Sequence, residues 1–381
     1  MRNRFVVSIF MLAMAALILW PALLAGAEIH KTRAGTYNPP RMPDGHPDLQ
    51  GTYDSATLTP LERPAGAKAV LTKEEALKLE AAYAAQKELG DRPIQGDRPP
   101  PTKGGERPDF AEQLDSRTKA VLTAASGGTG GYNYGWLDPG STYTVVNGEK
   151  RSSLIVDPPN GRIPPLTTSA AQRGARSQAR PTSDATENSD PGLETAPGVY
   201  DDPERRPLGE RCLLGFGSTS GPPALPNYFY NNLHQIVQTP NSVMILTEMV
   251  HDARIARMNV PHLPKNIRQW LGDSVGHWEG DTLVIDTTNF TENTRFGGST
   301  ADLHVIERFT RVDDKNLLYR FTVDDPATWA KPWSGEYTWP ATNAHIYEYA
   351  CHEANYAMKD ILKGARLREK EAGTRAGKNE N

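Results

Sequence analysis

Along the chain, hydrophobic and polar positions mix most densely in residues 268–290, RQWLGDSVGHWEGDTLVIDTTNF, where aromatic, charged and strand-forming residues occur together. The flanks 274–278 and 282–287 are rich in Val, Ile, Thr and Trp, which favour half-buried strands. Residues 279–281 between them, Glu-Gly-Asp, are typical of a turn. This stretch therefore predicts a β-hairpin around which the rest of the fold is organised.

Asp286 lies inside the second strand of that predicted hairpin. Because side chains alternate along a strand, Leu283, Ile285 and Thr287 share one face and Asp286 lies on the other. A carboxylate in an otherwise apolar strand has to be solvated, paired or hydrogen-bonded. The sequence thus places Asp286 either on a wet face or in a polar site.

Similar strand patterns, separated by turns, recur through the C-terminal half of the chain. They cover residues 235–238, 243–250, 253–258, 303–311, 317–323, 335–339 and 345–351. Because no helix intervenes, these strands predict an antiparallel meander that closes on itself or covers its edges. The fold class is therefore mainly β, a barrel or a sandwich, with residues 51–53 supplying an edge strand.

Two helices and one further hairpin complete the predicted elements. Thr72 followed by Glu75 forms a capping box at the start of an Ala- and Leu-rich run, which predicts an N-terminal helix over 72–89. Asn147 and Gly148 favour the type I′ turn of a hairpin. A short C-terminal helix is expected from residue 355 to 371, and a weaker one over 110–124.

The chain divides into four segments by composition. A signal peptide covers 1–27, and a region wrapped around the core covers 28–139. The β-rich core domain covers 140–366, with a polar loop near 167–211 whose composition favours disorder or a surface strap. A charged tail covers 367–381.

The first 27 residues have the pattern of an export signal. Arg2 and Arg4 precede an apolar run over 5–24, and the small residues Ala-Gly-Ala at 25–27 are typical of a cleavage site. This predicts a periplasmic or secreted protein. An uncleaved anchor is the alternative, because about 20 apolar residues can span a bilayer.

Cys212 and Cys351 are the only cysteines. In an oxidising compartment, a disulfide is the expected state of such a pair. The alternative is a catalytic thiolate at Cys351 beside His352, which requires an exposed cysteine of low pKa.

Charge and motif content narrow the function classes. The chain has 42 basic and 46 acidic residues, a net charge of −4, so the sequence predicts no nucleic-acid partner and membrane contact only through an uncleaved signal segment. It contains no Walker, dinucleotide-binding or haem-attachment motif. We therefore predict no cofactor.

Five sequence phrases carry a family resemblance. They are RSSLIVDPPNGRIPPL at 151–166, HQIVQTP at 234–240, the 268–290 stretch with WEGDTLVIDTTNF, LHVIERFTRVD at 303–313 and CHEANYAM at 351–358. They resemble phrases of a large family of exported bacterial proteins whose functions are largely uncharacterised. The resemblance implies export and a shared fold, and it implies no reaction.

Gly51 and Tyr53 carry a second, more distant likeness. They resemble the G-x-W pattern that opens the first strand of lipocalin-like barrels, with Tyr in place of Trp. Together with the meander, this likeness implies a lipocalin-like barrel or sandwich, a class that includes ligand carriers and a few enzymes.

Several titratable residues are candidates for chemistry. Four residues are of types that bind metals: His234, Glu248, His251 and Asp252. Their spacing matches no metal-binding motif, so we predict no metal site. The ordinary interpretation is a histidine at the end of a strand beside solvated acids. Glu248 and Glu307 stand among apolar neighbours, as general acids or bases do. Such acids also form cross-strand salt bridges, here with Arg254, Arg308 or Arg320.

Aromatic density between residues 270 and 339 leads to the functional prediction. Aromatics at this density fill cores, and they also line pockets for flat apolar ligands. We predict an exported protein that binds a small, partly apolar ligand through Trp270, His277, Trp278, Trp333 and Tyr337. The alternative is a cofactor-free acid–base enzyme, of the hydratase, lyase or isomerase type, using the same pocket. Its catalytic residues would be Glu248, His251 and Arg254.

Overall fold

A computed structural model describes residues 37–90, 138–179, 198, 200–206, 208–215, 221–227, 230–292, 296–353 and 355–379. The chain divides into two units after Tyr37, and the architecture below belongs to the unit Asn38–Asn381. The predicted signal segment and the weak helix over 110–124 lie outside the described residues. None of the described helices is long and apolar enough to cross a membrane.

The described elements are thirteen strands and three α-helices. The strands are β1 Gly51–Asp54, β2 Val70–Leu71, β3 Val145–Val146, β4 Glu149–Arg151, β5 Ile155–Asp157, β6 Leu233–Gln238, β7 Ser242–Thr247, β8 Ala253–Met258, β9 Asp273–Glu279, β10 Thr282–Thr288, β11 His304–Arg311, β12 Asn316–Asp324 and β13 Trp333–Thr342. The helices are α1 Lys73–Gly90, α2 Thr168–Ala179 and α3 Tyr356–Asn379.

Nine strands close into a barrel in the order β1-β6-β7-β8-β9-β10-β11-β12-β13, with β13 pairing back onto β1 and β5 attached to β13. A closed ring with an odd number of strands cannot alternate throughout, so at least one neighbouring pair has to be parallel. That pair is β8–β9, which is joined by a crossover of residues 259–272 and makes only two register pairs. The predicted mainly β, lipocalin-like barrel is confirmed.

The barrel interior is filled by large aromatic side chains from alternate positions of its strands. At most 1% of each of these side chains is exposed: Phe309, Tyr319, Phe321, Trp333, Tyr337 and Trp339. Residues 38–50 close one end, where the Leu49 backbone N–H donates to Gln238 Oε1 over 3.1 Å. Residues 221–227, which we call the plug, lie buried at the other end.

The predicted central hairpin is confirmed as β9 and β10. Leu283 pairs with Trp278, and Gly280 in the turn has a φ of 59°, a conformation that glycine adopts without steric cost. Leu283 and Ile285 point into the barrel and are fully buried, so Asp286 points outward.

Two strand predictions were wrong. Residues 51–53 do not form an edge, because β1 pairs with both β6 and β13 and so closes the barrel. Residues 345–351 form no strand, and His345 and Tyr347 are exposed. β13 already pairs with β12, β1 and β5, so the closed barrel has no free edge with which this segment could pair.

The predicted N-terminal helix and the second hairpin are confirmed. Glu75 Oε2 accepts from the Thr72 N–H over 2.7 Å, and Thr72 Oγ1 accepts from the Glu75 N–H over 3.1 Å, which is the predicted capping box. Asn147 and Gly148 both have positive φ and join β3 to β4.

The other helices differ from expectation in extent. α2 begins at Thr168, inside the segment expected to be a polar loop, and Thr167 Oγ1 caps it by accepting from the Ala170 N–H over 3.1 Å. α3 passes residue 371 and continues through the predicted charged tail to Asn379.

Candidate functional site

A fully buried ion pair lies inside the barrel. Arg254 Nη2 donates to Glu307 Oε1 over 2.9 Å, and Arg254 Nη1 lies 2.6 Å from Glu307 Oε2. Only 5% of the Arg254 side chain and none of Glu307 is exposed. The expectation of a buried acid at Glu307 with Arg254 as a partner is therefore confirmed. Arg308 and Arg320, the other partners considered, pair with Glu279 and Glu336 instead.

Two tyrosines extend this pair towards the plug. Tyr319 Oη donates to Glu307 Oε1 over 2.8 Å and accepts from the Ala224 N–H over 2.9 Å, while Tyr337 Oη donates to the Ala224 carbonyl over 2.9 Å. Burial, followed by the charge of Glu307, raises the pKa of Tyr319 well above 10, so its hydroxyl keeps its proton. We call Arg254, Glu307, Tyr319 and Tyr337 the polar centre.

The sequence of the plug, GPPALPN, suits a buried irregular segment. Buried backbone N–H groups need acceptors. Pro222, Pro223 and Pro226 have no backbone N–H, so they need none. The Ala224 N–H and carbonyl are hydrogen-bonded to Tyr319 and Tyr337, and the Asn227 N–H donates to Asn232 Oδ1 over 2.6 Å. The plug therefore lies in the barrel mouth without belonging to the barrel wall.

His234 lies in the same interior layer. Its ring stacks on Trp339 at 4.5 Å, and its two nitrogens lie 3.2 Å from Thr247 Oγ1 and Ser55 Oγ. Burial, with the charge of Arg254 added, lowers the pKa of His234 to about 3, so the ring is neutral at ordinary pH. His234 is thus a hydrogen-bonded core histidine.

The residue set considered for a metal does not converge. Glu248 accepts from the Tyr347 N–H over 3.1 Å, whereas His251 is exposed. No group of three or more His, Cys, Asp or Glu among the described residues is arranged to hold a metal ion.

The predicted catalytic trio is not brought together. Arg254 is inside the barrel, and Glu248 is buried near the segment that follows β13. His251 Nδ1 lies 3.2 Å from the carbonyl oxygen of Tyr349, on an exposed turn. Residues 249–251 form a turn with positive φ at Val250 and His251, and the imidazole of His251 faces solvent there.

The predicted ligand-binding residues divide into two groups. Trp333 and Tyr337 are fully buried in the barrel interior. Trp270 and His277 lie on the outer surface, and Trp278 stacks on His46 with 4.8 Å between ring centroids, at the end closed by residues 38–50. Of the five, only Trp333 and Tyr337 therefore lie in the barrel interior, and Tyr337 is itself part of the polar centre.

A cluster on the outer face of the barrel was not anticipated. His262 Nδ1 lies 3.0 Å from Asp273 Oδ2 and its Nε2 lies 3.1 Å from Asp286 Oδ1, while His304 Nε2 lies 2.9 Å from the same Asp286 atom. We call these four residues the outer histidine cluster. Asp286 thus belongs to a polar site on the outer face, which answers the question left open by its sequence.

The pKa shifts in the outer histidine cluster follow from these contacts. Hydrogen bonding to Asp286 raises the pKa of His304 above 6.5, against the effect of burial. Burial alone would raise the pKa of Asp286, but its bonds to His304 and His262 outweigh this and hold it below 3.8. Asp273 is also held below 3.8, because the Leu263 N–H, His262 and Arg257 outweigh its burial.

We expect the outer histidine cluster to stabilise the fold most in mildly acidic solution. The contribution of His304 is complete below its unfolded pKa of 6.5 and is lost as pH rises through its higher folded value. The contribution of the two carboxylates is present above 3.8 and is lost as pH falls through their lower folded values. His304→Gln should therefore lower the free energy of unfolding by about 0.5–1 kcal/mol near pH 5–6, since solvent screens a partly exposed pair, and by less above pH 7.5.

Urea unfolding at several pH values checks this, with His277→Gln as the control. His277 pairs with Glu279 at the surface, where 49% of each side chain is exposed, so its replacement should cost little both at pH 5.5 and at pH 8.5. Equal losses from His304→Gln at pH 5.5 and 8.5 would contradict the expected linkage.

The chain matches no protein-family model, no curated protein and no solved structure.

Proposed function

We propose that the barrel binds a small, partly apolar ligand at the polar centre, entering through the end that the plug occupies. One observation carries the proposal. The hydroxyls of Tyr319 and Tyr337, deep in the barrel, are bound to Ala224, a residue that belongs to no strand. The hydroxyls of the barrel wall are therefore bound to a segment outside the wall, whose place a ligand could take.

The packing of the interior implies that binding displaces the plug. The aromatic side chains around the polar centre are fully buried, and each of them is fixed to a strand of the wall. Residues 221–227 fill the mouth without a strand pairing of their own. Moving them exposes Tyr319, Tyr337 and aromatic surface of the kind that lines small-molecule sites.

Hydrogen exchange tests the displacement with prodan, an uncharged naphthyl ketone dye, as the probe. We expect saturating prodan to increase amide exchange in peptides covering residues 221–227 while it decreases exchange in β12 and β13. Increased exchange in one segment on binding is distinctive, because a ligand ordinarily protects the segments that it touches. Increased protection of the plug would contradict displacement, and absence of prodan binding would contradict the proposal itself.

Tyr337→Phe provides a matched variant for the same exchange measurement without prodan. It removes only the hydroxyl that donates to Ala224, and an unsatisfied buried carbonyl costs about 1–3 kcal/mol, so the plug is held less tightly. Amides of residues 221–227 should then exchange about tenfold faster than in the wild-type protein, since less free energy is needed to move the plug. The control is Tyr347→Phe, at a side chain that is 71% exposed, and it should leave that exchange rate unchanged.

The enzymatic alternative has no comparable support. Acid–base catalysis needs an acid and a base within hydrogen-bonding reach of one substrate. Glu248 and His251 have separate partners, the Tyr347 N–H and the Tyr349 carbonyl, and among the described residues neither forms a hydrogen bond with the polar centre.

An exported location is part of the proposal. Cys212 and Cys351 form a disulfide, and Cys212 is 6% exposed. Such bonds persist in oxidising compartments, which supports a periplasmic or secreted protein with the N-terminal segment as its signal.

A further inference from the structure

Three N–H groups of the barrel interior have no hydrogen-bond acceptor. They are Arg254 Nε, Trp333 Nε1 and Trp339 Nε1, all buried and without a partner among the described residues. More than about nine in ten buried polar groups in proteins are hydrogen-bonded, so each exception needs an explanation. The plug satisfies the tyrosine hydroxyls and leaves these donors unmet.

Two of the unmet donors flank Tyr319 in the polar centre. The Trp339 ring stacks on the Tyr319 ring with 4.7 Å between centroids. Arg254 donates through Nη2 to the same Glu307 oxygen that accepts from the Tyr319 hydroxyl. Trp333 lies nearer the mouth, edge-on to Trp329 at 5.9 Å. A buried acceptor, Glu307 Oε2, also lacks a well-formed hydrogen bond, but Arg254 Nη1 lies 2.6 Å from it. Two donors, Arg254 Nε and Trp339 Nε1, are therefore left without an acceptor where the proposed ligand would lie.

The charges of the interior decide what kind of acceptor fits. Arg254 is already neutralised by Glu307, and His234 has a pKa of about 3 and carries no charge. A carboxylate ligand would be buried there without a cation of its own, and the loss of its hydration would oppose binding. An uncharged carbonyl oxygen accepts two hydrogen bonds without that cost.

We infer that the ligand class is uncharged carbonyl compounds with a flat apolar body, such as aromatic ketones, esters, lactones or amides. Arg254 Nε and Trp339 Nε1 donate to the carbonyl oxygen, and the neighbouring aromatic rings contact the apolar body. This inference rests on the proposed function, since it names the ligand of the same site.

Three naphthalene derivatives of similar shape separate the ligand class from binding in general. Acetonaphthone carries a ketone, isopropenylnaphthalene replaces the oxygen by a methylene group, and naphthoate carries a carboxylate. Titrations followed by tryptophan fluorescence should show the ketone binding about tenfold more tightly than the hydrocarbon, which corresponds to one well-made hydrogen bond. The ketone should bind at least about a hundredfold more tightly than naphthoate, whose charge would be buried without a partner. Naphthoate binding as tightly as the ketone overturns the ligand class and leaves the proposed binding function standing.

Equal binding of the ketone and the hydrocarbon also overturns the ligand class, because the donors are then satisfied by water. Failure of all three to bind overturns the proposed function together with the ligand class.

The carbonyl stretch of bound acetonaphthone reads the hydrogen bonds directly. We expect it at lower frequency than in hexane, and closer to its value in an alcohol. Trp339→Phe removes one donor and should reduce the preference for the ketone over the hydrocarbon, whereas Trp329→Phe, at another buried indole of the barrel, should retain it. An unshifted stretch in the wild-type protein overturns the inference even if Trp339→Phe does not fold.

Discussion

Arg254→Met is expected to lower the free energy of unfolding by about 3–5 kcal/mol, the range for breaking a buried ion pair on one side. The reason is the environment of its partner. Glu307 is completely buried, and of its polar contacts only Arg254 carries a charge, the other being the Tyr319 hydroxyl. Without the guanidinium, the carboxylate has to be buried unpaired or take up a proton.

Replacing both partners is expected to recover most of that loss. In Arg254→Met combined with Glu307→Leu, no charge is left in the interior, and the methionine fills volume among apolar neighbours. Isosteric apolar replacements of buried ion pairs are often neutral or stabilising, although Tyr319 loses its acceptor here at a cost of about 1 kcal/mol. Urea unfolding of the four proteins in this double-mutant cycle measures the coupling between the two sites.

Arg308→Met is the matched control for the single variant. Arg308 is the next residue after Glu307 and forms a salt bridge with Glu279 at the surface, where 31% and 49% of the two side chains are exposed. Such pairs contribute about 0–1 kcal/mol. If Arg254→Met cost no more than Arg308→Met, the ion pair inside the barrel would not be the interaction that we describe.

The strands of the barrel could be predicted where the pattern was local. The β9–β10 hairpin has its alternation and its turn within one short stretch, so neighbouring residues fix its register. β1 has only four residues, and its partners lie in β6 and β13, far along the chain. Closure by so short a strand depends on those distant partners, and no local pattern carries it.

The buried acid of the site could be predicted, but not its surroundings. Glu307 stood out as a carboxylate at an inward position between Val305 and Phe309. Tyr319 did not, because a tyrosine in an apolar strand is what an ordinary core contains. The plug carries one signal, its Pro-Pro-Ala-Leu-Pro sequence, which indicates an irregular segment but not where in the fold that segment lies.

Nearness in sequence does not bring the predicted catalytic residues together in the fold. Glu248 and His251 are three residues apart, but the turn at 249–251 separates their side chains. His262 and His304 are far apart in sequence, yet both contact Asp286, because the crossover between β8 and β9 returns over the outer face. Such convergence depends on the topology of the barrel, which a single sequence does not specify.

Removing the disulfide is the second change with a large expected effect. Cys212→Ala with Cys351→Ala should lower the free energy of unfolding by about 3–5 kcal/mol, because the bond closes a long loop and restricts the unfolded chain. The two cysteines are 139 residues apart in sequence, and that loop contains every barrel strand except β1. Denaturant unfolding under non-reducing conditions measures the difference.

Asn355→Ala separates the covalent bond from the contacts around it. Asn355 Nδ2 donates to the Glu210 carbonyl over 2.7 Å and lies 3.4 Å from Cys212 Sγ, so its loss removes local hydrogen bonds and leaves the disulfide intact. We expect a loss of about 1 kcal/mol from this variant. Limited proteolysis of the two-alanine variant should cut first between β13 and α3, because residues 343–353 have no strand pairing and lose their covalent attachment. A two-alanine variant no less stable than Asn355→Ala would mean that noncovalent contacts alone hold the two segments together.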